Sequence, residues 1–237
     1  MTDLRLDLLA FGPHPDDIEI GLGGTIAKHA AVGHRVGMCD LTRGEMGSNG
    51  TPEQRVAEAE AAREALGAVM RANLGWPDRQ LGTSPDHRRS VVELIRRWRP
   101  RAVAVPYWED RHPDHVASSR LLTEAVFDAG LRRHAPDSEP WRPAWICYYF
   151  INDGACPSFV VDVSAQYARK RRALACYESQ FGAAGEGAVA TRLNSPRFMQ
   201  LVESRDAQFG ALIGAAFAEG IVVREPVERS HLLRELA

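Results

Sequence analysis

Short apolar runs recur along this chain at spacings that leave room for a helix between them, and that alternation most narrows what it can fold into. Residues 6–11, 35–41, 102–106, 145–150 and 159–163 each read as a buried strand. Between them lie helix-length segments over residues 25–31 and 90–98, and another beginning near Ala117. The longest opens at Thr51, where Thr51 suits an N-cap, Pro52 the first turn, and Gln54 completes a capping box. Parallel strands need crossovers of about a dozen residues or more. The pattern therefore predicts an α/β fold, a Rossmann-like, largely parallel sheet with helices on both faces and a helical C-terminal region. No repeat or linker interrupts the chain, so residues 1–237 read as a single domain, with a flexible Gly/Ala stretch over residues 182–188.

Composition excludes several classes of function. With 29 basic and 31 acidic residues the net charge is −2, and no Lys/Arg run is long enough for a nucleic-acid or membrane footprint. The basic clusters at residues 96–99 and 169–172 fall at helical periods and read as solvated faces. The N-terminus lacks the features of a signal peptide, and no stretch approaches 18 apolar residues. Four widely separated cysteines form no Cys-x-x-Cys pair. They suit buried thiols in a reducing compartment, so a cytoplasmic location is expected, with neither nucleic acid nor membrane as a partner.

Two polar clusters carry the chemistry. His14-Pro15-Asp16-Asp17 follows the first strand, and His112-Pro113-Asp114-His115 follows the strand ending near Pro106. Either one alone reads more simply as a helix cap. Together they bring three imidazoles and three carboxylates to strand ends, and in parallel sheets ligands bind outside the carboxyl ends of the strands. Catalytic zinc takes three ligands from His, Asp or Glu and keeps one position open. The prolines stiffen loops that must hold ligands in place.

These clusters resemble the LmbE/PIG-L family of zinc-dependent N-deacetylases. The segments Asp40-Leu41-Thr42-Arg43-Gly44-Glu45, Asp110-Arg111-His112-Pro113-Asp114-His115 and Tyr177-Glu178-Ser179-Gln180-Phe181 are most similar to the bacillithiol biosynthesis deacetylase branch. The likeness runs through residues 217–220. Pro13 departs from it, standing where that branch commonly has a small residue. The resemblance implies metal ligands His14, Asp17 and His115, Asp16 as general base, and His112 as the group that stabilises the oxyanion or protonates the leaving nitrogen. It implies Zn2+ as cofactor, although these N/O ligands also accept Fe2+ or Co2+. It further implies hydrolysis of the N-acetyl group of an N-acetylglucosamine conjugate, N-acetylglucosaminyl malate in that branch, by a homo-oligomer such as a hexamer.

Arg55, in the second turn of the helix opened by Thr51, reads from spacing alone as a solvated arginine. The resemblance offers it a substrate carboxylate instead, and Asp78 a substrate hydroxyl. Tyr148 and Tyr149 read as sheet core. Two rivals follow from the residues. A dinucleotide-binding oxidoreductase would use Gly21 and Gly23 with Asp40 on a ribose, but Ile26 stands where a third small residue belongs, and a charged insert separates the glycines from the strand. A non-catalytic carbohydrate- or metal-binding module would need neither Asp16 nor His112. The glycines read best as letting a helix begin close to the metal loop.

Overall fold

The computed structural model describes residues 5–135, 137–182 and 188–228. Its single sheet has seven strands, β1 (Leu8–Gly12), β2 (Val36–Thr42), β3 (Met70–Trp76), β4 (Ala102–Pro106), β5 (Trp145–Tyr149), β6 (Phe159–Asp162) and β7 (Ala218–Val222), in the order β3-β2-β1-β4-β5-β7-β6. The first five strands in that order are parallel, β7 runs antiparallel to β5, and β6 antiparallel to β7. Strand order reverses at β1, which pairs with β2 on one side and β4 on the other. That reversal opens a crevice at the carboxyl ends of β1 and β4, where both histidine clusters lie.

Period-two alternation along β1 feeds two cores. Leu8 and Ala10 pack with helices α1 (Asp17–Ala31), α2 (Pro52–Leu66) and α5 (Tyr167–Ala175), whereas Leu9 and Phe11 pack with α3 (Pro85–Trp98) and α4 (Pro113–Ala129). The short α6 (Glu178–Phe181) and α7 (Pro196–Ala211) complete the α-helices among the described residues. Thr51 caps α2 as expected, its hydroxyl accepting from the Gln54 N–H at 3.2 Å, but the Gln54 side chain turns to Glu58 at 3.5 Å and leaves the capping box half made. None of the described helices is long and apolar enough to cross a membrane. Most of the Gly/Ala stretch, residues 183–187, lies outside the described residues.

The sequence reading needs correction in α1. That helix begins at Asp17, not near Thr25, so the glycines lie inside it and do not precede it. Their role is close approach. A Cβ on Gly21 would overlap the Tyr149 ring and sit 2.6 Å from the Phe150 carbonyl oxygen, and one on Gly24 would sit 2.7 Å from Val163 Cβ. The small face lets α1 lie directly on the sheet, bringing its N-terminus to the crevice. Similarly, α4 begins at Pro113 with His112 as its N-cap, four residues earlier than periodicity suggested.

Candidate metal and catalytic site

Each cluster occupies a strand-to-helix turn. In the first, the Asp17 N–H donates to the His14 carbonyl at 3.3 Å, and Asp16 stands at the N-cap position of α1 with φ 112° and ψ −29°, its side chain making no capping bond. A non-glycine residue at positive φ is uncommon, and such strain collects at functional sites. Pro13 is accommodated: its carbonyl accepts from the Thr42 N–H at 3.0 Å and hydroxyl at 2.9 Å. In the second turn, His112 Nδ1 accepts the Asp114 N–H at 3.2 Å. That bond leaves the proton of the neutral ring on Nε2.

Asp17 sits between two imidazoles. Its Oδ2 lies 3.0 Å from His14 Nδ1, and its Oδ1 lies 3.3 Å from His115 Nε2. The opposite nitrogen of each ring faces another carboxylate. His14 Nε2 is 3.3 Å from Asp78 Oδ1 and 3.4 Å from Asp114 Oδ2, and His115 Nδ1 is 3.0 Å from Asp110 Oδ1. A ligating histidine characteristically gives its outer N–H to a carboxylate, which fixes its tautomer and aims its inner nitrogen. His14, Asp17 and His115 have that arrangement, and three N/O donors suit a catalytic divalent ion.

Distance alone selects other sets. Among the described residues, ligand atoms within 4.8 Å of one another group as His14 with His112 and His115, and as His14 with Asp78 and Asp114. We favour the Asp17 set. His112 already uses Nδ1 as a helix cap, while Asp114 accepts from the Arg79 N–H at 3.1 Å and from Arg79 Nη1 at 2.7 Å.

Electrostatics separates the two adjacent carboxylates. Burial disfavours the Asp17 anion, but the rings of His115 and His14 outweigh it and hold the carboxyl well below the usual range. Burial dominates at Asp16 and pushes it up to about 7, against the opposing charge of Arg55. The solvated-arginine reading of Arg55 is thus overturned: only 4% exposed, it places Nη2 3.1 Å from Asp16 Oδ2, also donating to the Pro15 carbonyl, and Nη1 3.2 Å from the Gly44 carbonyl. His115 is lifted to about 9, because Asp17 and Asp110 overcome its burial. Burial, reinforced by the neighbouring His115 and His14, lowers His112 and favours its neutral form.

All seven residues singled out from sequence line one cavity of about 490 Å3. Asp78, for which the resemblance implies a substrate hydroxyl, is engaged within the protein itself. Its Oδ2 accepts the Met46 N–H at 3.2 Å, tying down the Gly-rich loop, while its buried Oδ1, though near His14, makes no aligned hydrogen bond. Sequence reasoning missed Asp110, Asp114 and Asn152 as orienting groups. Asp110 and Asp114 stood within the quoted histidine segment; Asp110 meets His115 of that same segment, but Asn152, His14 and Arg79, their other partners, come from loops after other strands. Asp40 is no ribose ligand, since Arg71 grips it through two bonds of 2.7 Å and it is 1% exposed. Tyr148 and Tyr149 are core, as expected.

The profile of the PIG-L family, described as GlcNAc-PI de-N-acetylase, matches residues 9–126. A diacetylchitobiose deacetylase from Thermococcus kodakarensis is 32% identical over 189 residues, covering 73% of this chain and 70% of that one. This chain belongs to the PIG-L family. A second relative, 1D-myo-inositol 2-acetamido-2-deoxy-alpha-D-glucopyranoside deacetylase 2 from Saccharopolyspora erythraea, is 28% identical, covering 78% of this chain and 87% of its own. Among solved structures, the conserved protein TT1542 from Thermus thermophilus superposes with a TM-score of 0.88 at 40% identity, covering 97% of this chain and all of that one. The PIG-L match spans β1 through most of α4, and so includes both histidine turns.

Proposed function

We propose that this protein is a metal-dependent N-deacetylase of an N-acetylglucosamine conjugate. One observation carries the reading: His14 and His115 converge on Asp17 from opposite sides while Asp16, beside it, is held by Arg55 and points into the same cavity. His14, Asp17 and His115 would hold the ion. When bound, a divalent ion supplies Lewis acidity to the acetyl carbonyl and lowers the pKa of water. Asp16 takes a proton from the attacking water as general base. His112, with its proton on Nε2, donates to the developing oxyanion or to the departing nitrogen, which leaves poorly as an anion. The Arg55 bond fixes the Asp16 carboxylate so that its free edge faces the substrate.

The relatives' names concern inositol-linked and chitobiose substrates. The motif likeness supports a finer reading, N-acetylglucosaminyl malate within bacillithiol biosynthesis, with zinc as the ion. The same reading makes the protein a cytoplasmic homo-oligomer, consistent with its four free cysteines. Amine release from N-acetylglucosaminyl malate, its inositol counterpart and diacetylchitobiose, each with zinc supplied, tests it. Preference for the malyl conjugate supports the finer reading, and preference for either neutral conjugate overturns it. Release from none of the three overturns the deacetylase reading itself.

A further inference from the structure

Behind the cavity, α1 is bonded sideways in its middle. The Gly24 N–H donates to Glu219 Oε1 at 2.9 Å and the Thr25 N–H to Glu219 Oε2 at 2.7 Å. In a regular helix the Gly24 N–H would pair with the Ile20 carbonyl. That carbonyl also accepts from Arg205 Nη2 at 2.8 Å. Arg205 Nη1 reaches the other wall of the crevice, donating to the Phe150 carbonyl at 3.2 Å and the Ile151 carbonyl at 2.7 Å, just beyond β5. The next residue, Asn152, donates from its backbone and side chain to Asp110, the carboxylate facing His115.

One guanidinium therefore joins the helix whose first residue is Asp17 to the loop that orients His115. Its own placement is fixed from behind. Asp206 Oδ1 lies 3.2 Å from both Nε and Nη2 of Arg205, and Lys170 Nζ bridges Asp206 at 2.6 Å to Glu219 at 2.7 Å. Lys170 and Asp206 are 0% exposed and Glu219 1%. Two cations and two carboxylates balance, so the cluster holds its geometry without solvent.

From this we infer that Arg205 is a positioning residue that sets the separation of Asp17 and His115, and with it metal affinity and turnover, while touching neither metal nor substrate. The inference rests on the metal site proposed above. A lysine keeps the charge beside Asp206 but has no planar fork with which to hold both walls.

The test is Arg205→Lys, read by chelator competition for bound zinc and by kcat and KM at saturating zinc. Loss of a group that orients metal ligands typically costs about 10–100-fold in metal affinity or activity. The expected result is a loss of that size in zinc affinity and in kcat, with KM within about twofold. Asn152→Ala cuts the link further along, so the Arg205→Lys/Asn152→Ala double variant should lose less than the product of the two single losses. Zinc affinity and kcat unchanged in a folded Arg205→Lys protein, or multiplicative losses in the double variant, would overturn the inference. Should Arg205→Lys fail to fold, Glu219→Gln, which loosens α1 from the opposite side, takes its place, and wild-type zinc affinity in that variant counts against the inference. Because zinc affinity is measured without substrate, it answers independently of whether the protein is a deacetylase.

Discussion

Arg55 and Asp16 form a buried ion pair of 3.1 Å in which the arginine also holds the Pro15 carbonyl, so one guanidinium secures both the carboxylate and the turn that presents it. We propose that Arg55 acts on Asp16, where the resemblance implied a grip on a substrate carboxylate. A hydrogen bond to a charged group contributes about 1.5–3 kcal/mol, or roughly tenfold to a little over a hundredfold in rate. Arg55→Ala should lose that factor in kcat/KM equally towards N-acetylglucosaminyl malate and towards plain N-acetylglucosamine. Parallel assays decide it: a loss confined to the malyl substrate would return Arg55 to carboxylate binding.

Asp16→Asn should keep its metal, because Asp16 lies outside the ligand set, yet lose activity by roughly a hundredfold or more. His112→Ala should cost about 2.7–4 kcal/mol in the barrier, the usual scale for losing one oxyanion donor. Elemental analysis beside steady-state kinetics measures both. Near-wild-type turnover with normal metal content would remove the residue concerned from the mechanism.

Asp17→Asn and Asp114→Asn separate two of the three donor sets that share His14, the one with Asp17 and the one with Asp78 and Asp114. If Asp17 is the ligand, its variant should purify nearly metal-free, whereas Asp114→Asn should retain metal with an affinity about 10–100-fold weaker, as expected when an orienting carboxylate is lost. The reverse ranking in metal titrations would place the ion among His14, Asp78 and Asp114.

Gly21→Ala poses a question of sign. Helix propensity favours alanine by about 1 kcal/mol. The new Cβ, however, would lie 2.6 Å from the backbone oxygen of Phe150 and overlap the Tyr149 ring. Overpacking of this kind costs about 1–3 kcal/mol and backbone cannot easily yield, so the variant should be less stable. Denaturant unfolding reads it directly, and a midpoint at or above that of wild type would show that α1 does not lie as close as described.

The expectations that held were those carried by contiguous residues. β1, β2, β4 and β5 stand out as apolar runs, and each histidine turn is four consecutive residues at a strand exit. β3 and β7 escaped notice for a common physical reason: each contains buried charge. Arg71 in β3 is neutralised by Asp40 and Glu19, and Glu219 in β7 by Lys170, all distant in sequence. No local pattern can show that a charged residue will find its partner. The same limit hid Asp114 and Arg205, whose partners come from distant segments, and it made Arg55, Arg96 and Lys170 read as solvated residues although all three are buried.

The backbone at Asp16 has one more consequence. Holding a non-glycine residue at φ 112° costs on the order of 1–3 kcal/mol, and a glycine there would escape most of that strain. Asp16→Gly would shed that strain but leave the Arg55 guanidinium buried without its carboxylate, and losing one partner of a buried ion pair costs about 3–5 kcal/mol. Directed evolution that scores only heat resistance would therefore retain the aspartate, because the side chain proposed to take the proton from water is also the one that neutralises Arg55.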